Sequence, residues 1–230
     1  MADRTGRRRP LVLLGEFSAG AAPATPYLER NGWGRMWVTK GPFSEYPGEP
    51  YGLDNGAFSA WRKGRPWEPG PFLRLVERSL ALPYPPAVAV TPDVVAGGLR
   101  SLEFSLAWRD RLPDEVPWYL AVQDGMTPAD VAPHAGRFAG VFLGGTDAFK
   151  RTVAEWREFS RGAGLPLHWG RCGTARRARE AVAVGVDSLD SVTPVLKIGE
   201  GRKHLMDRFE AEVLGRSGQR DLWPEGGGVW

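Results

Sequence analysis

The chain has 230 residues, 42% apolar and 25% charged, and its 30 basic against 27 acidic side chains leave a net charge of +3 and a pI near 9.2. That composition suits one globular domain; no apolar run could span a bilayer and no secretory leader follows Arg7 to Arg9, so an intracellular protein without membrane contact is expected. The lone Cys172 excludes an internal disulfide and a multi-cysteine zinc site, and His134, His168 and His204 stand at no ligand spacing, so neither metal nor cofactor is expected.

Residues 1–10 are polar and Arg-rich and read as a disordered basic arm, 11–215 as the domain, and 216–230 as a loose tail. LVLLG (11–15) reads as a buried strand, followed by a small-residue loop and a short helical or irregular piece around Tyr27 to Arg30. RMWVTK (35–40) is a second strand, joined by a Pro- and Gly-rich stretch without helical pattern to a third at YGLDNG (51–56). FLRLVERSLAL (72–82) has helical spacing, and PAVAVTPD (86–93) is the nearly continuous apolar run of a strand buried on both faces. GGLRSLEFSLAWRDRL (97–112) reads as helix, WYLAVQDG (118–125) as strand, TPADVAPHAGRF (127–138) as a short helix capped by Thr127, and AGVFLGG (139–145) as strand. The alternation continues with a helix at 146–164, a strand LPLHWGRC (165–172), a helix at 174–185, a strand VDSLDSV (186–192) and a helix at 202–216. Eight strands alternating with helices predict a single-domain (β/α)8 TIM-type barrel of the α/β class. An open doubly wound sheet comes second, because no Gly-rich phosphate turn follows the first strand.

Such a barrel gathers the C-terminal ends of its strands at one mouth. Here those ends carry Asp54, Asp93, Gln123 with Asp124, Gly144 with Gly145, His168 to Arg171, and Asp190. Structural explanations exist for each: Asp54-Asn55-Gly56 is turn chemistry, and Asp93 could cap the next helix. Several acids, an amide and a bare Gly-Gly backbone together describe a seat for a flat polar heterocycle. Guanine fits, since its N1–H and 2-amino group suit one carboxylate and its O6 needs a donor. Two further acids suit displacement at a glycosidic carbon. Asp187 competes with Asp190, but residues three apart on a strand face opposite sides, and Asp190 is preferred. Trp169 is a candidate stacking platform. Arg171 with Arg176, Arg177 and Arg179, and Arg202 with Lys203, form basic clusters that suit either an anionic polymer or solvated helix faces.

The order LDNGAFS, TPDVV, AVQDG, FLGG and VDSLDSV, spread over Tyr51 to Pro194, resembles the tRNA-guanine transglycosylase superfamily. The likeness is strongest to its DNA-modifying branch, the bacteriophage and bacterial 7-deazaguanine transglycosylases (DpdA). The resemblance implies a pentosyltransferase that exchanges guanine in DNA for a 7-deazaguanine of the preQ0 type through a covalent aspartyl-sugar intermediate. It implies Asp190 as nucleophile and Asp54 as general acid/base. Asp93, Gln123, Gly144 and Gly145 would bind the base with Asn55 and Phe58 beside them, and Arg171 would hold a backbone phosphate. The tRNA enzymes carry a Cys-rich zinc subdomain, for which the single cysteine of this chain cannot supply the ligands, which favours DNA, single-stranded or with a flipped base, as the partner. A transglycosylase or hydrolase acting on tRNA or on small (deaza)purine nucleosides is the second reading. A non-catalytic nucleic-acid-binding barrel is the third, and a homodimer is compatible with all three.

Overall fold

A computed structural model describes residues 9–15, 24–39 and 48–216. Its eight strands are β1 (Leu11–Gly15), β2 (Gly34–Trp37), β3 (Tyr51–Leu53), β4 (Val88–Val90), β5 (Trp118–Val122), β6 (Gly140–Leu143), β7 (Leu167–Trp169) and β8 (Ser188–Ser191). Each pairs in parallel with the next, and β8 closes on β1 with Leu13 opposite Asp190. The helices are α1 (Thr25–Asn31), α2 (Ala57–Arg62), α3 (Pro69–Leu80), α4 (Leu99–Arg109), α5 (Pro128–Val131), α6 (Val153–Gly162), α7 (Ala175–Val184), α8 (Thr193–Gly199) and α9 (Lys203–Val213). The fold is the (β/α)8 barrel that the alternation of elements predicts. Residues 1–8 of the expected arm and 217–230 of the expected tail lie outside the described residues, as does Lys40 of the expected second strand.

The barrel exists because its strands are apolar on both faces, and successive residues of a strand point to opposite sides. Inward go Leu13, Met36, Val88, Val90, Tyr119 and Ala121, with Leu11 and Phe142 packed against them. Outward go Val12, Leu120, Val141, Leu167 and Trp169, which meet Trp156 of α6, Ala178 of α7 and Phe209 of α9. A second outer cluster joins Trp37, Tyr51, Leu53 and Trp118 to Phe72 and Val76 of α3. Burying each such side chain stabilises the fold by roughly 1.5–3 kcal/mol.

The differences from the sequence pattern are local. Helices α2 and α8, six and seven residues long, are too short to show a periodic face. Helix α3 starts at Pro69, two residues before Pro71, since proline is tolerated in a first helical turn. Helix α5 has the expected Thr127 cap, in fact a reciprocal capping box with Asp130, but after four residues it gives way to a 3₁₀ turn containing Pro133. No helix among the described residues is long and apolar enough to cross a membrane.

Candidate active site

The largest cavity, about 830 Å³, lies at the N-terminal end of the barrel and is lined by Leu11, Ala87, Asp187 and several arginines. The polar residues that end the strands lie at the other end, where parallel barrels do chemistry. Asp187 belongs to the former: it is exposed, 2.5 Å from Arg157, and accepts the Leu167 N–H at 2.9 Å. Asp190 lines the pocket at the opposite, C-terminal mouth, so the two acids stand at different ends of the barrel.

At the exit of β3 the Asp-Asn-Gly triplet does form a turn. Asp54 Oδ1 accepts the Gly56 N–H at 2.7 Å, Asn55 Oδ1 accepts the Ala57 N–H at 2.7 Å, and Gly56 takes φ +79°, so α2 begins at once. The remaining end of Asn55 reaches into the barrel, where its Nδ2 donates to the Thr91 carbonyl and to Asp93 Oδ1, both at 2.6 Å. Gln123 Nε2 donates to Asp93 Oδ2 at 2.5 Å, and its own Oε1 accepts the Ala96 N–H at 3.3 Å. Asp93 therefore caps no helix; Gly98 stands at the start of α4. Burial pushes the Asp93 carboxyl up to about 7, the Asn55 hydrogen bond opposing and the Asp54 charge adding to the shift. Burial likewise lifts Asp54 to about 6, against the Gly56 N–H and with a contribution from Asp190.

Asp190 is fixed from β7. The ring of fully buried His168 stacks on Phe142, with Nδ1 2.8 Å from Ser188 Oγ and Nε2 3.1 Å from Asp190 Oδ1. The Arg171 N–H donates to the same Oδ1 at 2.9 Å, while Oδ2 accepts no hydrogen bond among the described residues. Among the described residues, one carboxylate oxygen is held and the other is left over. Of two such groups on one pocket, the acid titrating near 6 can move a proton while the carboxylate with an oxygen to spare can attack an electrophilic carbon.

The third wall is the backbone of Gly144 and Gly145. A Cβ on Gly144 would stand 2.6 Å from Gln123 Nε2, and one on Gly145, at φ +70°, would stand 2.6 Å from Asp124 Oδ2. Asp124 itself stays out of the cavity, because its carboxylate accepts from the Thr146 N–H at 2.8 Å and from the Thr146 hydroxyl. An inner pocket of about 30 Å³ is lined by Asp54, Asn55, Phe58, Asp93, Gln123, Gly144, Gly145, Arg171 and Asp190. It shares Asp54, Asn55, Phe58, Arg171 and Asp190 with an adjoining outer cleft of about 490 Å³. All the expected base- and sugar-facing residues thus meet in one place.

Other candidates lie elsewhere. Trp169 is buried outside the barrel, because His168, its neighbour along β7, takes the inward face; it offers no stacking surface. Arg202 and Lys203 are exposed and line neither cavity; Arg202 lies 3.9 Å from Glu200, and Lys203 donates to Asp207 at 2.9 Å. Cys172 is buried, its thiol pushed up to about 12 chiefly by burial.

Two features have no forewarning in the periodicity. Lys150 is buried beside the mouth, its ammonium donating to the Gly170 carbonyl, and burial followed by the Arg171 charge pushes it down to about 7. The outer cleft is rimmed by Arg62, Lys63 and Arg65 at the end of α2, exposed cations without an acid partner among the described residues, next to half-exposed Trp61. The run WRKGR directly after DNGAFSA was the available signal for this rim.

Neither a comparison with family models nor one with curated proteins gives a match. Among solved structures, tryptophan synthase from M. tuberculosis, in an aminoacrylate- and BRD0059-bound form, is similar with a TM-score of 0.50 and 14% identity. The match covers 93% of this chain and 99% of that one. At that identity the likeness shows the fold alone.

Proposed function

We propose that the chain is a base-exchanging pentosyltransferase that replaces guanine in DNA with a 7-deazaguanine of the preQ0 type. The observation that carries this reading is the meeting of Asp54 and Asp190 on one pocket walled by Asp93, Gln123 and the Gly144–Gly145 backbone. Asp190 Oδ2 attacks C1′ as the bond from C1′ to N9 breaks, and the departing guanine takes the proton of Asp54. The incoming base returns a proton from its N9 to Asp54, and that nitrogen displaces Asp190 from C1′. Two displacements retain the anomeric configuration and consume no energy source. A group titrating at about 6 suits a proton carrier that must both give and take near neutrality.

In the same reading Asp93 accepts from N1–H and the 2-amino group, while the second amide hydrogen of Gln123 serves O6. Phe58, on the helix that the Asp-Asn-Gly turn launches, supplies a ring face for the base. Arg62, Lys63 and Arg65, without an acid partner among the described residues, favour a polyanionic substrate over a nucleoside. The target base must leave its stack to enter, which costs least in single-stranded or distorted DNA.

The test is incubation with labelled guanine and single-stranded DNA, tRNA or deoxyguanosine, using wild type and Asp190→Asn. Label is expected in DNA with wild type alone. Label in tRNA only would remove DNA as the substrate, exchange surviving Asp190→Asn would remove the nucleophile, and no label in any acceptor would remove base exchange itself.

A further inference from the structure

Arg171 sits where a base would have to go. Its guanidinium carbon lies 3.5 Å above the Phe58 ring centroid, the spacing of stacked planes, and Nη2 donates to the Gly145 carbonyl. Its backbone is in the left-handed region, φ +51°, which no side chain adopts without cause. That conformation sends the backbone N–H to Asp190 Oδ1 and the side chain across the mouth. The guanidinium is half-buried and lacks a carboxylate within ion-pair distance among the described residues, although Asp190, Asp147 and Asp54 attract it.

The consequence is steric. The inner pocket, about 30 Å³ with the guanidinium in place, has room for roughly two water molecules, and a purine needs several times that. A base can lie on Phe58 only after the guanidinium leaves. Beside it lies the outer cleft, which Arg171 also lines together with Arg62, Lys63 and Arg65. A phosphodiester there would offer the guanidinium a bidentate, charge-assisted partner, stronger than one carbonyl and a ring face.

Resting on the base-exchange reading above, we propose that Arg171 selects for nucleotides flanked by phosphate: its guanidinium fills the base seat against Phe58 and vacates it when a phosphodiester in the outer cleft accepts it. A free purine or nucleoside lacks that partner and must displace the guanidinium unaided.

Calorimetric binding of guanine, alone and with a short single-stranded oligonucleotide carrying an abasic analogue, tests this on wild type and Arg171→Gly. Glycine keeps the left-handed backbone and removes the plug. Wild type is expected to bind guanine roughly tenfold tighter with the oligonucleotide, on the scale of the cation–π attraction that an unaided base has to overcome. Arg171→Gly should bind guanine alone about tenfold tighter than wild type does, with little further response to the oligonucleotide. Guanine bound equally by both proteins, regardless of oligonucleotide, would overturn the selection by Arg171 and leave the base-exchange reading standing. Guanine bound by neither protein under any condition would overturn both. The oligonucleotide response of wild type stands as a separate readout should the variant fold poorly.

Discussion

Replacing Asp93 with asparagine probes the buried carboxylate without changing its shape. Asp93 is 6% exposed and its carboxyl is lifted from 3.8 to about 7, chiefly by burial. A carboxylate raised in the folded state favours folding while protonated, and that contribution is lost as pH rises from the unfolded value through the folded one. At pH 5 the native group is protonated while the unfolded chain has already ionised, by then a loss of about 2 kcal/mol; at pH 8 the loss reaches about 4 kcal/mol. The neutral asparagine is exempt. It does carry a fixed cost of about 1–3 kcal/mol, because its amide must face either the Asn55 or the Gln123 donor. That cost does not change with pH, so the difference between the two proteins isolates the titration. Urea denaturation at pH 5 and pH 8 should show Asp93→Asn gaining about 2–3 kcal/mol on wild type between the two conditions. Parallel stability curves across that range would show that Asp93 is hydrated or paired in a way the geometry does not contain, and would withdraw it as a buried recognition group.

Lys150 titrates in the opposite sense and in a separate window. Its pKa is lowered from 10.5 to about 7, so its contribution rises with pH between those values, and wild type should gain roughly 3 kcal/mol on Lys150→Met from pH 7 to pH 10. Because Lys150 holds the Gly170 carbonyl beside the Arg171 N–H that meets Asp190, the same variant should lower kcat with KM little changed; a changed KM alone would refute this positioning role. Asp124→Ala frees the Thr146 N–H and hydroxyl and should cost about 1–3 kcal/mol in denaturation, with a raised KM for the base; unaltered stability would show that Asp124 does not latch the Gly-Gly turn. The triple variant Arg62→Glu, Lys63→Glu and Arg65→Glu should reduce the log–log salt slope of single-stranded DNA binding by about 2, and an unchanged slope would move the phosphate path away from α2.

The barrel was legible because strands covered on both faces leave apolar runs, and because several of those runs, as at Asp54, Asp93 and Gln123, stop at a polar residue that lines the mouth. Which residue faces inward is a question of phase and register, and there the sequence is ambiguous. His168 and Trp169 are neighbours at one strand end, yet the pairing of His168 with Ser188 and of Trp169 with Leu189 puts the first pair in the lumen and the second in the outer core. The aromatic is the more conspicuous of the two in the sequence, and the imidazole beside it is what holds Asp190. The seat of Arg171 on Phe58 and the burial of Lys150 were beyond reach for another reason. The first depends on a left-handed backbone at a non-glycine residue, and the second on a carbonyl twenty positions away that turns toward it.

The turn reading of Asp54 and the functional reading are rivals in the sequence, and the structure shows why they are compatible. The turn claims one oxygen of Asp54 through the Gly56 N–H and no second hydrogen bond reaches the other among the described residues. Asp190 is divided in the same manner, with two donors on Oδ1 and none on Oδ2. Asp93 differs, since amides hold both of its oxygens. A carboxylate pinned at both ends is fixed in plane and orientation, which suits reading the edge of a flat ring. One pinned at a single end keeps an oxygen for the proton or for the carbon. In the proposed reaction, the division of labour among the three acids would therefore follow from how many of their lone pairs the fold itself consumes.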